Sequence, residues 1–253
     1  LFISKIHTYM TGRGFLEAKN YSFMNNKLLK DLKEDNYMPV SSVTIKNPFN
    51  DDETRLKTSL VPDLLKNLIY NRNSENEDIH LFETAYIYSQ DGSKYTQSPF
   101  LAGVSCGYII KPSHNKKEFI SDFFFIKSLI NGLLDYIKAE KKVIFSLSSS
   151  TPFYEYSAEI KSENIIIGRA GQVKEAVLYE NKFSKKAFIF ELSINALMEL
   201  SSTSIKYKDI SRFPAAKRDL SILIDSGLPE SRVEEIIIGE AKGAIRSIYL
   251  YDV

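Results

Sequence analysis

The sequence predicts an α+β fold: a β-sheet with flanking helices, followed by a smaller second region. Residues 79–88 alternate as a strand with apolar side chains on both sides, which is typical of a strand covered on both faces. Residues 119–137 carry one apolar stripe at helical spacing, which suits packing against a sheet. Several more strand patterns lie between residues 143 and 192. The 253 residues are enough for one large domain or two modest ones.

The N-terminal elements are a helix and a strand. Apolar residues at helical spacing from Phe2 to Met10 predict an amphipathic helix, which Gly12 and Gly14 stop. Residues 15–23 then predict a strand, residues 25–35 a short helix, and residues 43–45 a short strand. Asn47-Pro48 and the acidic residues behind it predict an exposed loop.

A second helix and strand follow this loop. Thr58-Ser59 offer an N-cap, and Pro62 lies in the first turn, where a missing N–H is tolerated. Leucines at helical spacing continue the helix, and residues 79–88 are the strand described above. Residues 90–93 then predict a hairpin turn, and residues 100–110 predict another strand, in which Gly103 and Gly107 indicate a bulge or a close backbone approach.

Glu83 is a charged residue within the otherwise largely apolar strand predicted over residues 79–88. A carboxylate in an otherwise apolar row costs free energy unless it is hydrogen-bonded or paired with a cation. A structural ion pair or an edge position is one explanation, and contact with a ligand is the other. The sequence leaves both open and indicates no partner for Glu83.

The C-terminal half continues with strands and helices. Strand patterns occupy residues 143–147, 154–160, 165–167 and 187–192, and Ser193 is a candidate N-cap for a helix to Leu200. Residues 201–209 predict a polar linker that contains the domain boundary. A strand over residues 220–224, a helix over 229–241 and a strand over 245–251 suit the start of a ferredoxin-like or RNA-recognition sandwich.

Composition excludes several classes of function. With 33 basic and 32 acidic residues, the chain has no global signature of nucleic-acid or membrane binding, so any RNA contact is expected to be local. The single cysteine, Cys106, excludes an internal disulfide and a thiolate zinc site, and packing is its expected role. No membrane-spanning run or signal peptide is visible, and a reducing cytoplasm is expected. Because the chain begins at Leu1 without methionine, we expect it to be a segment of a longer polypeptide.

Two stretches resemble one family. Residues 47–73, NPFNDDETRLKTSLVPDLLKNLIYNRN, followed by LFETAYIYS at residues 81–89, resemble the catalytic-like domain of the bacterial phenylalanyl-tRNA synthetase beta subunit. RFPAAKRDL at residues 212–220 and LYDV at residues 250–253 resemble the opening of that subunit's C-terminal anticodon-binding domain. The resemblance covers essentially the whole chain.

The resemblance implies two domains. Residues 1–205 would form a class II aminoacyl-tRNA synthetase-like antiparallel sheet with flanking helices, and residues 206–253 a truncated ferredoxin-like anticodon-binding domain. The first motif of that class lies at a subunit interface, so Ile6, Met10 and Phe15 are candidate interface residues, with ordinary core packing as the alternative. Five basic residues around the start of the second domain are candidates for RNA contact, with a solvated linker as the alternative: Lys206, Lys208, Arg212, Lys217 and Arg218.

Chemistry that the class requires is missing here. Class II synthetases activate an amino acid with an arginine two positions before the acidic residue of their second motif. If Glu83 is that acidic residue, the arginine position holds Leu81. The glycine-rich third motif with its arginine is also absent, and Lys174-Glu175 stand where the family has His-Pro. No catalytic, cofactor-binding or metal-binding residue is therefore predicted.

The resemblance implies a catalytically silent segment of phenylalanine-tRNA ligase, which supports ATP-dependent attachment of phenylalanine to its tRNA through the alpha-subunit interface and tRNA placement. The working enzyme would be a cytoplasmic heterotetramer of two alpha and two beta chains that uses ATP and magnesium. A free-standing paralogue that binds RNA or protein is the alternative.

A hydrolase is a third possibility, because residues 103–107 have the Gly-x-Ser-x-Gly spacing around Ser105. It would require Ser105 to be exposed and near a base. The apolar strand around Ser105 argues against it, since such an elbow needs a sharp strand-to-helix turn.

Overall fold

The computed structural model describes residues 1–24, 42–48, 53–139, 141–148, 154–179, 185–202, 214–225, 227–228, 230–241, 243–245 and 247–251. Their contacts divide the chain into two compact units, Leu1–Ile205 and Lys206–Val253. The helix predicted over residues 25–35 lies outside the described residues. No helix within the described ranges is long and apolar enough to cross a membrane.

The first unit alternates helices and strands. Its helices are α1 (Phe2–Gly12), α2 (Val61–Asn73), α3 (Phe123–Tyr136), α4 (Glu175–Tyr179) and α5 (Ile194–Leu200). Its strands are β1 (Leu16–Glu17), β2 (Phe23–Met24), β3 (Arg55–Leu56), β4 (Ile79–Asp91), β5 (Lys94–Cys106), β6 (Tyr108–Ile110), β7 (Phe119–Ile120), β8 (Ile144–Ser148), β9 (Tyr154–Ser162), β10 (Ile165–Val173) and β11 (Ala187–Ser193).

Seven strands form the main sheet in the order β1-β4-β5-β11-β10-β9-β8. Every neighbouring pair is antiparallel except β1 and β4, which are parallel, so the sheet is mixed rather than antiparallel throughout. The predicted hairpin is confirmed: Asp91 pairs with Lys94, and Gly92 has a φ of +56° that suits the tight turn.

The two faces of the sheet carry separate apolar cores. Phe82, Leu101 and Phe190 point into the first core, where they pack with α1, α3 and α5. Their strand neighbours Leu81 and Ala102 point into the second core, under α2 and α4. Because side chains alternate along a strand, the apolar character of both sides of β4 follows from this double coverage.

Several predicted boundaries are wrong. The helix predicted from Phe119 begins at Phe123, because the Asp122 carboxylate caps it by accepting a hydrogen bond from the Phe125 N–H at 2.6 Å, while residues 119–120 pair with β6. The strand over residues 100–110 breaks at Gly107, whose φ is +87°. The strand over residues 15–23 is two separate two-residue strands, and the strand predicted over residues 165–167 extends to Val173 as β10.

The second unit contains helix α6 (Glu230–Glu240), as predicted. The strands predicted over residues 220–224 and 245–251 are not formed within the described part of this unit. A strand is stabilised by the ladder it shares with a neighbour, and these stretches have no paired neighbour among the described residues. The ferredoxin-like assignment of this unit therefore stays a prediction.

Candidate functional site

Two buried carboxylates lie side by side on one face of the main sheet. Glu83 on β4 and Glu191 on β11 both pair with Ala102 on β5, the strand between them. Residues paired in this way point to the same face, so the two side chains flank Ala102. Glu83 is 1% and Glu191 3% exposed, and the face they share is the one that α2 covers.

Glu83 is neutralised by a lysine from outside the strand. The Lys57 ammonium donates to one Glu83 oxygen at 3.0 Å, and both side chains are 1% exposed. Asn20 donates to the same carboxylate with its backbone N–H at 3.2 Å and its side-chain amide at 3.0 Å. A buried ion pair needs such additional hydrogen bonds to offset desolvation. The structure thus supplies the structural ion pair that was one of the two explanations for Glu83.

A second carboxylate, Asp63 in the first turn of α2, shares the same lysine. Its oxygen lies 3.7 Å from the Lys57 ammonium. Burial raises the pKa of Asp63 to about 6; Lys57 opposes this rise and the Glu83 charge adds to it. One buried cation therefore holds two carboxylates together between β4 and α2.

Glu191 is held by the start of α2. It accepts hydrogen bonds from the Leu60 N–H at 2.7 Å and from the Ser59 hydroxyl at 3.0 Å, and the Ser59 oxygen in turn accepts from the Val61 N–H. Burial raises the pKa of Glu191 to about 7, although these donors and the charges of Arg169 and Lys57 favour the ionised form. The N-cap predicted at Thr58-Ser59 is wrong, because the helix is capped at Leu60, but Ser59 links the start of α2 to the sheet through Glu191.

Glu191 makes stability depend on pH. Because its folded-state pKa is raised from 4.5 to about 7, its stabilising contribution is complete below pH 4.5 and is lost as pH rises through 7. We expect Glu191→Gln to gain about 1–3 kcal/mol relative to the wild type as pH rises through this window. Urea unfolding of both proteins at a series of pH values measures the difference.

The exposed variant Glu199→Gln is the matched control and should follow the wild-type pH curve. A constant difference between Glu191→Gln and the wild type across the whole pH range would contradict the prediction.

The sheet face beside Glu83 does not fit a nucleotide. Leu81, at the predicted arginine position, is 9% exposed and packs in the apolar core with residues of α2 such as Leu64 and Leu65. A leucine offers no charge to a phosphate, and the space above it is filled by side chains. Within the described residues, no three His, Cys, Asp or Glu side chains are grouped as a metal site.

The three interface candidates are buried in the chain's own core. Ile6, Met10 and Phe15 are 0%, 0% and 1% exposed and pack in the first core. They match the alternative of ordinary core packing, because side chains without exposed surface offer no area to a partner. α1 is also tied to α3 by the Tyr9 hydroxyl, which donates to the Leu129 carbonyl oxygen at 2.8 Å.

The hydrolase hypothesis is wrong because Ser105 is buried. Ser105 lies 2.8 Å from His80 Nδ1, so it does have a base nearby. It is 0% exposed and lies inside β5, where no substrate carbonyl can reach it. Cys106 is equally unreactive, because burial raises the pKa of its thiol to about 12.

Only two of the five basic candidates can be placed. Lys217 and Arg218 are exposed, in agreement with either RNA contact or a solvated linker. Lys206, Lys208 and Arg212 lie outside the described residues.

The sequence indicated one member of the buried charged cluster and missed the others. Glu191 stands in the apolar run FIFELSI and carries the same signal as Glu83, a carboxylate in a strand core. Lys57 carries no such signal, because a lysine just before a helix is ordinarily solvated. Its burial becomes visible only when β4 and α2 are brought together.

The mixed sheet with helices on both faces matches solved aminoacyl-tRNA synthetases. Two structures of pyrrolysyl-tRNA synthetase from Desulfitobacterium hafniense align with TM-scores of 0.59 and 0.61 at 12% and 11% identity. The alignments cover 78% and 81% of this chain and 64% and 73% of those chains. At this identity the likeness concerns the fold, which is that of a class II synthetase core.

Sequence comparison then identifies the family. The family model described as "Phenylalanyl tRNA synthetase beta chain CLM domain" matches residues 1–194, and the chain belongs to this family. Phenylalanine–tRNA ligase beta subunits from Halalkalibacterium halodurans and Carboxydothermus hydrogenoformans are 25% and 28% identical over 98% and 100% of this chain. The subunit from Buchnera aphidicola subsp. Schizaphis graminum is 30% identical over 87% of it. The chain spans about a third of the first two relatives, 31% and 32% of their lengths.

Proposed function

We propose that this chain is the catalytically silent core of a phenylalanine–tRNA ligase beta subunit, followed by the start of a ferredoxin-like anticodon-binding domain. Its role is to hold the alpha subunit and to help place the phenylalanine tRNA. The working enzyme is a cytoplasmic heterotetramer of two alpha and two beta chains, and its ATP and magnesium chemistry takes place on the alpha subunit.

The observation that carries the proposal is the filled sheet face at Leu81. Amino-acid activation requires cations aimed at the phosphates in an open, preorganised site. Here the corresponding position is an apolar side chain in a closed core, and the buried cation on this face, Lys57, already contacts Glu83 and Asp63. A sheet face closed by apolar packing favours a structural role, in which the domain supports the other parts of the enzyme, over a catalytic one.

The relatives named above support the assignment of partners. They are beta subunits, and the term implies an alpha subunit with which the chain assembles. The alternative of a free-standing paralogue predicts RNA or protein binding without any alpha subunit.

We expect the full-length protein without its alpha subunit to show no phenylalanine-dependent exchange between ATP and pyrophosphate. The alpha–beta complex should catalyse this exchange at the same protein concentration. Radiolabelled pyrophosphate incorporation into ATP measures both. Exchange by the beta chain alone would overturn the proposed silence of this domain.

Capture of the alpha subunit tests the scaffold role directly. Tagged full-length protein should retain the matching alpha subunit in the absence of tRNA, and the unrelated alpha-type subunit of another synthetase serves as the control. Retention of tRNA without the alpha subunit would support the paralogue instead.

A further inference from the structure

The start of α2 takes its cap from another part of the fold. Leu60 stands at the N-cap position, and its apolar side chain accepts no hydrogen bond from the helix. Glu191 on β11 accepts from the Leu60 N–H at 2.7 Å and from the Ser59 hydroxyl at 3.0 Å. The Ser59 oxygen accepts from the Val61 N–H at 3.1 Å, and Pro62 has no N–H to donate. The first donors of α2 are therefore satisfied only while the helix is docked on β11.

The start of α3 is built differently. Its N-cap residue Asp122 is next to the helix in sequence and accepts from the Phe125 N–H at 2.6 Å. This cap moves with the helix, so α3 needs no other element to satisfy that donor. The two helices cover opposite faces of the main sheet, α3 over the first core and α2 over the second. A loss of docking at the start of α2 therefore leaves the packing of α3 intact.

Glu191 is a buried carboxylate that forms no ion pair within the described part of the chain. Other charged side chains lie on this face of the sheet and on the turn of α2 that covers it: Lys57, Asp63, Glu83, Glu159 and Arg169. Lys57 contacts the two carboxylates of β4 and α2. Arg169 lies opposite Glu191 in the β10–β11 ladder but pairs with no carboxylate among the described residues. The charge of Glu191 is thus compensated mainly by hydrogen bonds from the start of α2.

Two effects oppose each other at Glu191. The donors of Leu60 and Ser59 and the positive end of the α2 dipole favour the carboxylate, whereas burial favours the neutral acid. Burial is the larger effect and raises the pKa of Glu191 to about 7. When the start of α2 is undocked, water reaches the carboxyl group and its pKa returns toward 4.5. The docked state therefore binds the proton more tightly, and undocking becomes easier as pH rises toward 7.

We propose that Glu191 and the start of α2 form a pH-sensitive latch, which is closed while Glu191 is protonated and opens locally when Glu191 ionises. Opening releases Leu60 and Val61 from β11 and admits water to Leu64 and Leu65, which are fully buried in the closed state. The helices over the first core stay packed, because they lie on the other face of the sheet. This inference does not depend on the proposed function.

Hydrogen–deuterium exchange of the full-length protein tests the latch. Labelling is done between about pH 5.5 and about pH 8, with times scaled to the exchange rate of an unstructured peptide at each pH, and peptides are resolved by mass spectrometry. Protection of residues 60–68 should fall about tenfold across this range. At the upper end it should be lower than the protection of residues 126–134 in α3, because a local opening costs less free energy than global unfolding.

Two outcomes for the wild type would each overturn the proposal. Protection of residues 60–68 that stays constant with pH would show that Glu191 does not control docking. Protection equal to that of residues 126–134 at the upper end of the range would show that α2 opens only when the whole domain unfolds. Neither outcome requires a variant to fold.

Variants assign the effect to Glu191. Glu191→Gln keeps an oxygen that accepts from the Leu60 N–H but cannot ionise, so it should lose most of the fall in protection. Asp63→Asn should keep most of it, although burial also raises the pKa of Asp63, to about 6. The exposed variant Glu199→Gln is the matched control and should reproduce the wild-type profile. A full wild-type fall in Glu191→Gln would assign the pH dependence to another group and contradict the latch.

Discussion

Lys57→Met is expected to lower the free energy of unfolding by about 3–5 kcal/mol, because removal of one partner leaves buried charge uncompensated. Lys57 and Glu83 are each 1% exposed, and Asp63 also faces the ammonium at 3.7 Å. Methionine fills a similar volume and so isolates the loss of charge from the loss of packing. Urea denaturation at pH 7 provides the measurement.

A surface ion pair with a similar distance between its charged atoms is the control. Lys141 donates to Glu163 at 2.9 Å, yet its side chain is 47% exposed. Lys141→Met should leave the urea midpoint close to that of the wild type, since exposed pairs contribute little. Equal losses in the two variants would show that burial of the Lys57 pair is not what matters.

The double variant Lys57→Met with Glu83→Gln refines this result. Without the Glu83 charge, the missing ammonium leaves less uncompensated charge, so the double variant should be more stable than the sum of the two single losses predicts. If the two single losses simply add, Lys57 and Glu83 stabilise the fold independently. That result would contradict an interaction across the 3.0 Å between the Lys57 ammonium and the Glu83 carboxylate.

Gly168→Ala is expected to cost about 3 kcal/mol of unfolding free energy, at the upper end of overpacking substitutions. A Cβ at this position would overlap the Glu191 carbonyl oxygen and lie 2.9 Å from the Leu192 Cα. Gly168 pairs with Leu192 on one side and Ile160 on the other, so backbone of β11 and β9 would have to move. Thermal or urea unfolding measures the loss.

Gly12→Ala separates this steric effect from the general effect of replacing glycine. Gly12 is the last residue of α1, and a Cβ there meets no atom within 4 Å. Alanine should be neutral or stabilise the protein by up to about 1 kcal/mol, because it reduces the freedom of the unfolded chain. A similar loss in both variants would contradict the steric explanation.

Much of the fold was predictable because it depends on periodicity. The Phe82 side of β4, the stripe of α3 and the hairpin at Gly92 each follow from residues close together in sequence. The apolar stripe predicted α3 from Phe119, four residues too early, because Phe119 and Ile120 share its spacing, whereas Asp122 is the local N-cap signal at which the helix begins. Strands of the second unit were predicted from the same periodicity but are not formed in its described part, because a pattern does not supply a pairing partner.

The candidate site was predictable only in part. Glu83 stood out by itself, while its partners Lys57 and Asn20 are 26 and 63 residues away along the chain. No local pattern links positions so far apart. The same limit applies to His80, which is 25 residues from Ser105 and meets it only through the pairing of β4 with β5.

By itself, the sequence determined the α+β class, most of the helices and strands of the first unit and the resemblance to the family. Each of these depends on residue type and local spacing. Tertiary structure alone decided that Ile6, Met10 and Phe15 are core, that Lys57 neutralises Glu83, and that Ser105 is bonded to His80 and Ser121 in the interior. These properties depend on which surfaces meet when strands pair and helices pack, and burial then sets the energy of each charge and hydrogen bond.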